Sequence, residues 1–205
     1  MKTKSACRVP GRGVCPPVGD SHTAAPYAFV GLSPPAPGHI GAALGGHDWP
    51  APIQKDVGNA LHNALAAGNC SAFAPWQVTE SSKSIHALMT MSTYTPKTYT
   101  AMHYTKFIRP GARRIDAEPG FATVQVGAFL HEKDGDATVV ALNPTDQNQA
   151  LNLSFRNLKG LASLKAYRTS ASENLAIGEV PVRDNKAAFE MTPQSIVTFS
   201  GKIHP

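Results

Sequence analysis

Beyond Gly111 the apolar and polar positions alternate along short runs. Val124, Val126, Ala128 and Leu130 share one face of an extended segment, and Leu151, Leu153 and Phe155 do so again. This is the period-two pattern of strands with one side buried. Strands are expected over 113–116, 123–130, 138–142, 150–155, 163–169, 179–182, 187–191 and 196–199, most of them separated by Gly, Asn, Asp or Pro. Such spacing predicts an antiparallel β-sandwich. Asp134-Gly135-Asp136 reads as a hairpin turn rather than a calcium loop.

Upstream the period becomes helical. Asp56 can cap a helix carrying Val57, Ala60, Leu61, Ala64 and Leu65, which Gly68 closes. The small apolar run 69–77 follows at once as a buried strand, the αβ rhythm of a parallel barrel. Residues 78–94 read as a polar loop containing a short apolar piece at 85–91. Thr95 and Pro96 supply the N-cap and first position of a second helix. On it Tyr99, Met102, His103, Lys106 and Phe107 share a face, until Pro110-Gly111 stops it. The expected fold is mainly β, an antiparallel β-sandwich preceded by a remnant of a (β/α)8 barrel. Three segments follow: 1–47 of low complexity and expected to be disordered, 48–110 as the barrel remnant (last βα units), and 111–201 as the sandwich.

Composition narrows the function. The chain has 205 residues and a net charge of +5, but apart from Arg113-Arg114 its Lys and Arg residues stand singly. A nucleic-acid reader concentrates them on one face, so no nucleic-acid partner is expected. Three cysteines without a second pair at ligand spacing argue against a zinc site or a disulfide scaffold. His62, His86 and His103 never fall at the i, i+4 spacing of a helical metal pair, so no metal and no cofactor are expected, and each reads as a surface or satisfied histidine. No membrane span is expected, because no apolar window nears the roughly 20 residues needed. Arg8, Pro10, Arg12, Pro16 and Pro17 interrupt any apolar core after the basic start, so no export signal is read and the compartment is left open. The Ala, Pro, Gly and Arg bias of 1–47 also resembles a GC-rich gene read out of frame.

Several runs then resemble one family when taken in order. They are Asp48-Trp49, Leu61-His62-Asn63, Trp76-Gln77, Lys106-Phe107-Ile108-Arg109-Pro110-Gly111 with Arg114-Ile115-Asp116, residues 139–143, the run from Tyr167 through Arg168-Thr169-Ser170 to Leu175, and Gln194-Ser195-Ile196-Val197-Thr198-Phe199. Over 48–201 the chain resembles the C-terminal end of glycoside hydrolase family 30, whose members pair a barrel with a β-sandwich side domain. The resemblance implies retaining hydrolysis of β-linked glucans, xylans, galactans or glucosylceramide by two glutamates. That chemistry needs two carboxyl groups about 5–5.5 Å apart. Both glutamates belong to strands upstream of the matching region, and 37–47 carries no carboxylate. No catalytic residue is therefore expected in this chain, and hydrolysis by it alone is not expected.

Substrate contacts fall to three residues. Trp76 offers an apolar platform for the C–H face of a sugar, or simply packs. Gln77 can donate to and accept from hydroxyls, or bond within a loop. Glu80 reads as a solvated loop residue, a substrate contact in an intact relative, or a catalytic carboxylate. An alternative function is a carbohydrate-binding or interaction module built on the sandwich, with Trp76, Tyr94 or Tyr167 as contacts. The family's segment before the barrel also contributes to the side domain, so sandwich edges are expected to be unpaired here and to favour self-association. The sequon Asn152-Leu153-Ser154 falls in a strand, and Arg168-Thr169-Ser170 is expected to fix a turn.

Overall fold

The computed structural model describes residues 52–68, 70, 73, 78–81, 87–117, 123–158 and 160–203. The segment 1–47 and most of the run 69–77 lie outside the described residues. Two helices come first, α1 (Pro52–His62) and α2 (Pro96–Thr105), with a π-helical turn Asn63–Ala67 after α1. Three two-residue strands lie between them: β1 (Thr79–Glu80), β2 (Met89–Thr90) and β3 (Thr93–Tyr94). Eight longer strands follow: β4 (Arg113–Ile115), β5 (Gln125–His131), β6 (Asp136–Asn143), β7 (Gln149–Ser154), β8 (Ser163–Thr169), β9 (Ala176–Pro181), β10 (Lys186–Met191) and β11 (Ser195–Lys202). Every sandwich strand expected from alternation is present, with ends shifted by a few residues.

β4 to β6, β8, β9 and β11 form one antiparallel sheet in the order β4-β5-β6-β11-β8-β9, while β7 and β10 pair as a second, two-stranded sheet. Among the described residues no barrel closes. Alternate side chains of the two sheets meet in a core that includes Val139, Ala141, Leu151, Leu153, Leu164, Met191, Val197 and Phe199. The β5–β6 hairpin turns through Asp134-Gly135, with Gly135 at φ +66° in the region a side chain disfavours.

The larger sheet is also buried on its other face. Val140, Leu142 and Ile196 pack there against Val57 and Leu61 of α1 and Ala101 and Tyr104 of α2. β6 is accordingly buried at every position from Ala137 to Asn143, as a strand covered on both faces must be. Each such large apolar side chain contributes roughly 1.5–3 kcal/mol when fully buried, so the helices are held on the sandwich by their own apolar faces. Gly127 permits the closest approach: a Cβ there would stand 2.7 Å from the Ala66 Cβ of the π turn.

Three expectations are corrected. α1 begins at Pro52, so Asp56 lies inside it rather than capping it; proline suits a first helical position and starts the helix more than a turn earlier. The stretch 78–94 is not simply a loop, since β1 pairs in parallel with β2 and β2 antiparallel with β3. α2 ends at Thr105 rather than at Pro110-Gly111, so Lys106 is its C-cap and Phe107 lies beyond it; Lys97, Thr98, Thr100, Ala101, His103 and Tyr104 are buried, because α2 is covered by both the sheet and α1. Its N-terminus is as expected, with Thr95 and Thr98 forming a capping box behind Pro96.

Candidate functional site

The three short strands carry the exposed apolar surface nearest the residues expected to touch substrate. Among the described residues Val78 is 60% exposed, Met91 67% and Tyr94 52%, and all three lie in or beside this small sheet. Parallel pairing sets Thr79 beside Met89 and Glu80 beside Thr90, and Met91 N–H donates to the Glu80 carbonyl at 2.7 Å. Glu80 is therefore on a strand at the rim of this platform, half-buried. Trp76 and Gln77 lie outside the described residues. Tyr94 meets Tyr99 edge to face, ring centres 5.9 Å apart, so the exposed ring is oriented by the first turn of α2. The hydroxyls of Thr95 and Thr98 both donate to the Leu88 carbonyl, the latter at 2.6 Å, which ties the approach to β2 to the start of α2.

At the other side of α2 a buried polar chain joins the helix to the sandwich. His103 is wholly buried, its Nδ1 2.8 Å from Thr198 Oγ1 and its Nε2 2.8 Å from Thr169 Oγ1. Thr198 spends its hydroxyl proton on the His103 carbonyl at 3.1 Å, so it accepts from Nδ1–H. Thr169 accepts from the Leu175 N–H at 3.1 Å and donates to Nε2. Each partner is then satisfied by one neutral tautomer. Desolvation pushes the His103 pKa down to about 3, and lowers that of His62; burial raises that of Tyr104. The histidine is a satisfied structural group, and no spacing pattern would reveal its two partners in β8 and β11.

Four carboxylates of the sandwich are engaged elsewhere. Glu132 pairs with Arg113, Asp134 with His131 at 3.2 Å, Asp136 with Lys202 at 2.7 Å and Glu173 with Arg168 at 2.6 Å. The Arg168–Glu173 pair and the Ser170 N–H bond to the Glu173 carbonyl at 3.0 Å fix the turn after β8. An open groove of about 500 Å³ beside Pro110 is lined by the first two of these pairs and by no Phe, Tyr or Trp. Among the described residues no three His, Cys, Asp or Glu side chains gather as metal ligands. No helix among them is long and apolar enough to cross a membrane.

Against known proteins, residues 111–199 match the family described as the glycosyl hydrolase family 30 beta sandwich domain. The chain is 32% identical over 154 residues to the glucuronoxylanase XynC of Bacillus subtilis (strain 168), an alignment covering 74% of this chain and 34% of that protein. It thus spans about a third of the length of the curated relatives it matches. The crystal structure of a GH30 endoxylanase from Clostridium papyrosolvens C71 superposes with a TM-score of 0.66 at 28% identity, over 73% of this chain and 38% of that one. The catalytic domain of GH30 xylanase C from Talaromyces cellulolyticus shares the fold, with a TM-score of 0.64 at 22% identity over 73% of this chain and 35% of that one. The strand order, the double burial of β6 and these matches lead to one assignment: the chain carries a C-terminal β-sandwich domain of glycosyl hydrolase family 30, homologous to the family's xylanases.

Proposed function

We propose that this chain serves as the C-terminal part of a family 30 β-glycan hydrolase of the xylanase kind, acting in the class of substrate that the glucuronoxylanase relative is named for. The observation that carries the reading is the docking of α1 and α2 on the outer face of the large sheet. The helices docked on this sandwich are, in this reading, the last helices of the barrel, which the side domain of the family accompanies. In this reading Trp76, Gln77 and Glu80 contribute substrate contacts, Glu80 from the small sheet of β1–β3 to which Tyr94 also belongs. Residues 48–110 are the barrel end and 111–201 the side domain.

Hydrolysis by this polypeptide alone is not proposed. The chemistry requires two carboxyl groups on opposite sides of the scissile bond, and Glu80 has as its nearest acidic neighbours in sequence Asp56, within α1, and Asp116, just past β4. Purified chain incubated with glucuronoxylan and with an aryl β-xyloside should release no reducing ends and no phenol. Turnover abolished by Glu80→Gln would overturn this. A carbohydrate-binding role for the same platform is the second reading, favoured by the exposure of Tyr94 and Met91; binding to xylan without turnover would support it. Self-association belongs to the same proposal, since among the described residues β7 and β10 each have one paired neighbour, and β4 and β9 end the large sheet.

A further inference from the structure

We propose that the surface formed by Lys106, Phe107, Tyr167 and Ile177 binds a β-linked xylan chain bearing carboxylate side groups. This deepens the xylan-class reading above and rests on it. The patch lies at the C-terminal end of α2, whereas the β1–β3 platform adjoins its N-terminal end; a ten-residue helix separates them by roughly 15 Å.

The register of the sheet builds this surface. Tyr167 pairs with Thr198 on one side and with Ile177 of the edge strand β9 on the other. Its side chain therefore shares a face with Ile177, the face on which α2 lies. The helix ends at Thr105, so its cover stops short of the edge. Ile177 is left 69% exposed beside a half-buried tyrosine. The Phe107 and Tyr167 rings lie 4.4 Å apart and tilted by 43°, forming a shelf rather than a closed stack.

Among the described residues the polar groups of the patch have no hydrogen-bond or ion-pair partner, and the ammonium group sits over the two rings. Lys106 Nζ stands 5.6 Å from the Phe107 ring centre and 5.8 Å from that of Tyr167, and has no carboxylate partner among the described residues. The Tyr167 hydroxyl makes no hydrogen bond to a described residue. A ring shelf with an exposed isoleucine suits the C–H face of a xylose unit. The tyrosine hydroxyl suits a sugar hydroxyl, and the ammonium group suits a uronate carboxylate.

Charge decides between partners. Lys165 lies two residues along β8 on the same face, but Glu179 stands directly opposite it on β9. A polyanion with a charge on every unit would meet that carboxylate as well as the cation. A neutral chain carrying occasional carboxylates would place one at Lys106 without that repulsion.

Affinity electrophoresis of the full chain tests the site, with glucuronoxylan or carboxyl-reduced glucuronoxylan in the gel. Retardation should be stronger on the native polymer. Lys106→Gln should weaken binding to native glucuronoxylan about fivefold, the scale of one exposed ion pair, and leave binding to the reduced polymer unchanged. Ile177→Ser should weaken both, with the thermal transition of each variant matching the parent. Equal affinity for the two polymers, no effect of Lys106→Gln, or no retardation at all would overturn the site. Those results would leave the absence of hydrolysis, the readout of the broader reading, untouched.

Discussion

His103 and Thr198, 95 residues apart in sequence, bond each other twice: the imidazole Nδ1–H donates to Thr198 Oγ1 at 2.8 Å, and the threonine hydroxyl donates back to the His103 carbonyl at 3.1 Å. The pair ties the last turn of α2 to the centre of β11. It makes the helix layer and the sandwich one packed body, since every donor and acceptor in it is used.

Replacing Thr198 by valine keeps the volume and removes both bonds. Two buried polar groups of His103 then lose their partners, and an unsatisfied buried group costs about 1–3 kcal/mol. Urea unfolding of Thr198→Val should show a loss in that range or somewhat above it. Thr198→Ser should recover most of it, because the hydroxyl returns.

Acid should weaken the fold through the same histidine. His103 is neutral in the fold, its pKa pushed down to about 3 by burial, while in the unfolded chain it returns to 6.5. Between those values the unfolded state binds the extra proton. The stabilisation is therefore complete above pH 6.5 and is lost as pH falls towards 3. His62, also lowered by desolvation, acts in the same direction. Stability measured between pH 4 and 6 should fall by about 1.4 kcal/mol per unit for each histidine proton taken up. In His103→Gln the slope should be smaller by one proton, whatever that variant's absolute stability; an unchanged slope would contradict the assignment.

Asn143 should be among the costliest single positions to truncate. It is 1% exposed. Its amide donates to the carbonyls of Gln147 and Thr192, both at 2.8 Å, and its oxygen accepts from the Thr145 N–H and hydroxyl. One side chain thus closes the turn after β6 and anchors the approach to β11. Asn143→Ala should lose on the order of 3 kcal/mol in denaturant unfolding, whereas Asn148→Ala, at an exposed contact to Glu190, should change it by less than about 0.5 kcal/mol.

Gly127→Ala should push the π turn away from β5. The added methyl meets Ala66 Cβ at 2.7 Å, which real side chains do not tolerate, and overpacking of this kind costs about 1–3 kcal/mol. Pairing it with Ala66→Gly removes the opposing carbon. A double-mutant cycle by thermal unfolding should show the second change rescuing part of the first, beyond what additivity allows.

Sedimentation velocity of the whole chain should show association, with sheet edges at β4, β7, β9 and β10 lacking a partner among the described residues. A clean monomer across a range of concentrations would contradict this. Trimming to 111–201 should worsen behaviour, because Val140, Leu142 and Ile196 then lose the cover of α1 and α2.

Local sequence was enough to place all eight sandwich strands, because alternation at Val124–Leu130 and Leu151–Phe155 and the intervening Gly, Asn and Asp turns are properties of neighbours along the chain. The start of α2 was legible for the same reason, since Thr95 and Pro96 act within one turn. The resemblance carried by runs such as 106–111 led to the family of the sandwich. Tertiary structure decided the rest. Two-residue strands such as β1–β3 have no period to read, and exist because parallel and antiparallel neighbours happen to meet. The buried face of α2 followed from what lies on either side of it, not from its own spacing. The partners of His103, and the shelf that Tyr167 forms with Phe107 and Ile177, join residues tens of positions apart. Burial, hydrogen-bond satisfaction and exposure at such places are set by which surfaces are left over once strands and helices have packed, and no single segment of the chain contains that information.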